Sequence, residues 1–230
     1  MRLGSRFDAA LLTRPPRLLH TLLPGCEWTG APTSPTGAPV VYLTFDDGPI
    51  PEETPWVLEQ LAAFDAKATF FCVGDNLVRY PEIARATLAA GHRLGNHTQH
   101  HRSAWASSRT AYVQDVASCQ VELKRAGLPP QNAASAAVPN PLFRPPHGRL
   151  TWPLLRALRP QFRIAMWSVL TRDYDPDLSP ADCLHYALAA IRPGDVVVFH
   201  DSHKASPRLR YVLPRVLADL AEQGYQFATL

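Results

Sequence analysis

The sequence contains no pair of cysteines at metal-binding or redox spacing. Its four, Cys26, Cys72, Cys119 and Cys183, stand far apart. That excludes a zinc ribbon and a CxxC oxidoreductase, and the four read as unpaired buried thiols. No apolar run is long enough for a membrane span. Near the N-terminus Asp8, Arg14, Pro15, Pro16 and Arg17 interrupt every apolar stretch, whereas a secretion signal needs roughly 7–15 consecutive apolar residues. The expectation is a chain without an export signal, cytoplasmic by default. Charge of one sign is also scarce. Lys and Arg total 23 against 20 acids, a net of +3, too little to argue for a nucleic-acid or membrane partner.

What is present is 230 residues, 46% of them apolar, enough for one substantial core and short for two. Residues 1–38 read as an irregular, proline-rich segment, and residues 39–230 as a single domain. Within it, short β-rich apolar runs at Val40–Phe45, Ala68–Val73, His92–His97, Leu142–Arg144, Arg163–Val169, Val196–His200 and Gln226–Leu230 alternate with helical patterns. The helices are predicted over Glu52–Phe64, Asn76–Ala90, Thr110–Ala126, Trp152–Leu158, Pro180–Ile191 and Leu209–Gln223. In the third of these, Ala111, Val113, Val116 and Val121 supply the apolar positions. Residues 128–141 have no period and read as a surface loop. About seven such units imply a parallel sheet covered by helices, either a barrel or an open doubly wound sheet.

Five short stretches carry groups capable of chemistry. Thr44-Phe45-Asp46-Asp47-Gly48-Pro49 puts two carboxylates at a strand end, where they stay ionised together only beside a cation or donor. Asn96-His97-Thr98-Gln99-His100-His101 packs three imidazoles into five residues. On a helical turn His97 and His101, or His97 and His100, would face one ion. In Phe143-Arg144-Pro145-Pro146-His147-Gly148 a rigidly held guanidinium can orient a carboxylate, and the amides after the prolines can face a developing oxyanion. Asp173 follows a strand, and His200 ends one; a carboxylate beside that histidine would hold its tautomer and raise its pKa, as a general acid needs. Each stretch alone is weak. All lie at the C-terminal ends of predicted strands, and parallel topology gathers those ends on one face.

These stretches, in this order, resemble the motifs of the polysaccharide deacetylases, the NodB-homology family of carbohydrate esterases. The resemblance covers about residues 40 to 230. It implies an α/β fold, a distorted (β/α) barrel of about seven parallel strands, and one divalent ion, usually zinc, with cobalt or another late first-row metal as substitutes. It further implies removal of N-acetyl, sometimes O-acetyl, groups from an acetylated carbohydrate. By that likeness Asp47, His97 and His101 are the metal ligands and Asp46 the base, held by Arg144. His200 is the acid, supported by Asp173, and His147 and Tyr174 belong to the oxyanion and substrate-binding walls. Departures are His147 where tyrosine is usual, Tyr174 where tryptophan is usual, Leu170 at a frequently acidic position and Val198 for leucine. They touch the pocket walls and so bear on substrate identity. Alternatives on the same fold are a hydrolase of small cyclic amides and a non-catalytic glycan-binding relative, whose ion would be closed off by a fourth ligand such as His100 or His203. Trp56 and Trp105 read as core residues rather than sugar platforms.

Overall fold

The structure, a computed structural model, describes residues 13–16, 18–127 and 140–230. The strands are β1 (Cys26–Glu27), β2 (Val40–Asp46), β3 (Thr69–Cys72), β4 (Arg93–Asn96), β5 (Leu142–Phe143), β6 (Arg163–Ala165), β7 (Val169–Leu170), β8 (Val196–His200) and β9 (Gln226–Phe227). The helices are α1 (Leu18–Leu22), α2 (Glu53–Ala62), α3 (Gly74–Arg79), α4 (Pro81–Ala89), α5 (Arg109–Arg125), α6 (Trp152–Leu158), α7 (Pro180–Ala190) and α8 (Ser206–Glu222). The strands run in the order β1-β6-β5-β4-β3-β2-β8-β7, with β9 against β2, and every ladder is parallel.

That order decides between the two architectures left open by the sequence. β6 lies next to one edge and β7 forms the other, yet only residues 166–168 join them. Four peptide steps span at most roughly 14 Å, so the sheet curls until its two ends nearly meet. The single run expected over Arg163–Val169 is therefore two strands, β6 next to one edge of the sheet and β7 at the other. The strand β1, which pairs with β6, and the short helix α1 lie in a stretch whose sequence shows no regular period. The predicted loop over 128–141 falls mostly outside the described residues.

Proline accounts for a second difference. The helix expected over Asn76–Ala90 is broken at Tyr80, because Pro81 cannot donate its amide and starts α4 instead. In α5 the buried face is Tyr112, Asp115, Val116, Cys119 and Leu123, while Val121 is exposed. Of the stripe read from Ala111, Val113, Val116 and Val121, Val116 is in the core and Val113 packs at its margin, while Val121 is off the core face. Among the described residues no helix is long and apolar enough to cross a membrane.

The pleat sorts each strand into two faces. Val41, Leu43, Phe45, Phe70, Val197 and Phe199 point outward and pack with Val57, Leu61, Leu209, Leu213 and Leu217 from the helices. Phe71, Leu142, Ala165 and Val196 point inward and form a smaller cluster with Leu230. Apolar residues on both faces explain why β3 and β8 read as unbroken runs. By the same alternation Thr44, Asp46, Arg144 and His200 fall on the inner face, above that small cluster.

Candidate active site

Asp46 and His200 end neighbouring strands and are paired in register across β2 and β8. Behind them Arg144, with no exposed surface, extends from the end of β5 through the barrel interior. Its Nη1 donates to Oδ1 of Asp46 at 2.7 Å and to Oγ1 of Thr44 at 2.8 Å. Nη2 donates to the carbonyl of Met166 at 2.8 Å and Nε to that of Ala165 at 3.3 Å. The guanidinium also lies 4.1 Å from the centre of the Phe71 ring. So many donors satisfied at once fix the orientation of Asp46; a buried guanidinium left unpaired would cost several kcal/mol.

The adjacent carboxylates diverge because Asp47 takes a left-handed backbone, φ 85°. Its Oδ1 lies 3.1 Å from Nε2 of His101 and 3.7 Å from Nε2 of His97. Donor atoms of Asp47, His97 and His101 all fall within 4.8 Å of one another. His97 donates its Nδ1–H to the carbonyl of Arg144 at 2.8 Å; a carbonyl can only accept, so the lone pair is on Nε2 and faces Asp47. Burial pushes the His97 ring down to about 4, outweighing the nearby Asp46 charge, so it is neutral at pH 7. Burial alone would raise the Asp47 carboxyl, but the hydrogen bond from His101 and the charge of His200 hold it well below the usual carboxylate range. Two imidazoles and a carboxylate, one ring steered by a backbone carbonyl behind it, form a donor set of the kind that zinc or a similar late first-row ion takes.

Residues 97–101 are not the helical turn considered from the sequence. Thr98 and His101 are left-handed, at φ 66° and 53°, and the turn is shaped by Asp115 of α5. That buried carboxylate accepts the amides of Gln99 and His100 at 3.1 and 3.2 Å and pairs with the His100 ring. His100 is thereby turned away and His101 turned in. His203 groups instead with Glu52 and Glu53, and Glu53 also pairs with Arg210 at 3.2 Å. Among the described residues, neither His100 nor His203 joins the Asp47, His97 and His101 group. Asp115 is absent from the sequence reading, although an acid inside the stripe Tyr112, Val116, Cys119, Leu123 is the signal that marks it.

Asp173 backs His200. It accepts the ring Nδ1–H on Oδ1 and the main-chain N–H on Oδ2, while its own carbonyl takes a hydrogen bond from Arg208. Burial works against the charged ring, but the charge and hydrogen bond of Asp173 prevail and His200 is pushed up to about 9. Asp201, the next residue, is a second side chain that the sequence reading passes over. Buried, and raised to about 8 chiefly for that reason, it accepts from Oγ1 of Thr54 at 2.6 Å and from the Gly48 amide at 3.1 Å. It thus ties the loop after Asp47 to the end of β8.

Asp46, Asp47, His97, His101, His147, Tyr174 and His200 line one cavity of about 570 Å³. Arg144 and Asp173 stand behind it rather than in its wall. His147, at φ 58°, packs edge-on against His101 with ring centres 4.8 Å apart. Tyr174 packs edge-on against His200 at 5.0 Å. Leu170 and Val198 complete part of the apolar wall. The arrangement offers a three-donor ion site, a fixed carboxylate and a protonated imidazole around one space, the parts needed for hydrolysis of an acyl compound.

Residues 33–160 match the family model described as polysaccharide deacetylase. The chain is 30% identical over 201 residues to a peptidoglycan-N-acetylglucosamine deacetylase of Bacillus cereus, covering 85% of this chain and 88% of the relative. It is 34% identical over 174 residues to a chitooligosaccharide deacetylase of Sinorhizobium fredii, covering 74% and 75% respectively. Among solved structures it is similar to the Bc1960 peptidoglycan N-acetylglucosamine deacetylase in complex with 4-naphthalen-1-yl-N-oxidanyl-benzamide. There the TM-score is 0.76 at 27% identity, over 92% of this chain and 93% of that one.

Proposed function

This chain belongs to the polysaccharide deacetylase family, and we propose that it is a metal-dependent hydrolase removing acetyl groups, N-linked ones foremost, from an acetylated sugar polymer or oligomer. Chitooligosaccharide and peptidoglycan are the substrates suggested by the relatives' names. The observation that carries this reading is the shared cavity: the donors of Asp47, His97 and His101 converge within 4.8 Å beside the Asp46 carboxylate and the His200 ring.

Asp47, His97 and His101 would hold a divalent ion, with zinc the best match to the donors; when bound, it acidifies a water and polarises the acetyl carbonyl. Asp46 is the base. Arg144 occupies its Oδ1, so Oδ2 is the oxygen free to take the proton as the water oxygen bonds to the acetyl carbon. The main-chain N–H of His147 serves as donor to the developing oxyanion. The carbon–nitrogen bond then breaks, and His200 gives its Nε2 proton to the departing sugar nitrogen, which cannot leave as an anion. Asp173 keeps His200 charged and oriented for that transfer. Water adds, acetate and a free amine leave, and both protons are accounted for.

The test is acetate release from N-acetylated chitooligosaccharides, peptidoglycan fragments and acetylated xylan in parallel, each with and without chelator and zinc add-back. The expected result is release from an N-acetylated substrate, lost with chelator and restored by zinc. Release from none of the three, or release indifferent to chelator, overturns the reading.

A further inference from the structure

Two cations stand at the mouth of the cavity, and neither takes part in the chemistry above. Arg149 follows the turn after β5, and Lys204 lies on the loop after β8; both are exposed and both line the cavity. In the sheet order β5 and β8 are separated by β4, β3 and β2, so the two come from different sectors of the rim. Each rests on an aromatic ring. The Arg149 guanidinium lies 4.9 Å from the centre of Trp105, and the Lys204 ammonium 5.6 Å from that of Tyr174. Trp105 is 66% exposed, which corrects its reading as a core residue and makes it a support at the surface.

Among the described residues neither cation has an ion-pair partner. The carboxylates in the cavity wall, Asp46 and Asp47, are already engaged, the first by Arg144 and the second by His97 and His101. The rim therefore carries two cations that no carboxylate among the described residues pairs with. A cation laid on an aromatic face is held in fewer orientations, so less freedom is lost when an anion binds. A planar guanidinium fork matches a carboxylate, and an ammonium adds a point charge. A neutral acetylated oligomer leaves both groups to water.

We propose that Arg149 and Lys204 form a carboxylate-reading rim, so that the site favours an acetylated glycan bearing a carboxylate close to the reacting acetamido sugar over a neutral one. This rests on the deacetylase reading. The carboxylate can sit on the sugar itself, as a lactyl ether, or on a peptide attached to it; the chemistry recognised is the same.

The experiment compares kcat/KM of the zinc-loaded full chain on chitotetraose, on a stem-free N-acetylglucosaminyl–N-acetylmuramyl tetrasaccharide, and on that glycan carrying stem peptides. A charged-over-neutral preference of about tenfold is expected at low ionic strength, shrinking towards parity near 1 M salt, where the screening length falls to about 3 Å. Arg149→Gln should cut the preference about threefold, and Arg149→Gln with Lys204→Gln should remove it, through KM rather than kcat. Binding of the preferred charged glycan to the Asp46→Asn protein, measured by calorimetry, should weaken by the same factor with Arg149→Gln. Preference for the stem-free glycan assigns the carboxylate to the sugar, and preference for the stem-bearing one alone assigns it to the peptide; either supports the rim. Acetate release from all three glycans at a ratio that the double substitution leaves unchanged overturns the rim and leaves the deacetylase reading standing. Release from none overturns that reading instead.

Discussion

Asp173 grips His200 at two points, the ring Nδ1–H on one oxygen and the main-chain N–H on the other, each at 2.7 Å. The first bond fixes the tautomer and the second fixes the backbone from which the ring hangs. Since His200 is pushed up to about 9, it is charged below that value and loses its proton as pH rises through it. A rate that needs the charged ring therefore falls on an alkaline limb near 9. In Asp173→Asn burial, which lowers a histidine, is opposed only by the charges of Asp47 and Asp46, so the limb should move down from its position near 9. Profiles of kcat/KM for acetate release between pH 5.5 and 10 decide this, and an unmoved limb would assign it to another group. The same shift favours the folded state below about pH 6.5, a contribution lost as pH climbs through the raised value.

Asp46→Asn keeps the shape of the side chain and its acceptor for Arg144 but removes the base. Turnover should fall by about 10²–10⁴-fold, with one equivalent of zinc still bound by elemental analysis. A variant close to normal activity would take Asp46 out of its assigned role.

Asp115→Ala deletes the acceptor that shapes residues 97–101 and leaves the amides of Gln99 and His100 without it. Supporting groups of this kind typically govern metal affinity by 10–100-fold. Competition against a fluorescent chelator should show a loss of that order. Unchanged affinity would mean that the turn keeps its form without Asp115.

Gly48→Ala should destabilise. A Cβ there would sit 2.0 Å from Oδ2 of Asp201, a carboxyl that cannot swing away because Thr54 and the Gly48 amide hold it. Overpacking of this kind costs about 1–3 kcal/mol, visible as a thermal midpoint lowered by several degrees. A midpoint within a degree of the parent would show that the Asp201 side chain has room to move.

The sequence makes the strands and most helices readable because each strand is apolar and each helix periodic. It leaves barrel and open sheet undecided, since both are built from the same units. The deciding fact is that Ala165 and Val169 belong to strands near opposite ends of the sheet order, and no local pattern encodes that. Apolar packing on both faces of β8 likewise hides which of its side chains point inward. The residues singled out by type, Asp46, Asp47, His97, His101 and His200, do meet in one cavity. Spacing alone leaves His100 and His101 open, and only the family resemblance points to His101, because the turn is non-helical and is set by an acid on a distant helix. Asp201 is not legible in the sequence, because a carboxyl beside a histidine looks ordinary until its burial is known.

Arg144 addresses two neighbours through two different parts of itself: its main-chain oxygen steers His97, and its side chain steers Asp46. Every amino acid supplies the former, whereas the latter is particular to arginine. Exchange at this one position therefore uncouples capture of an ion from the use made of it.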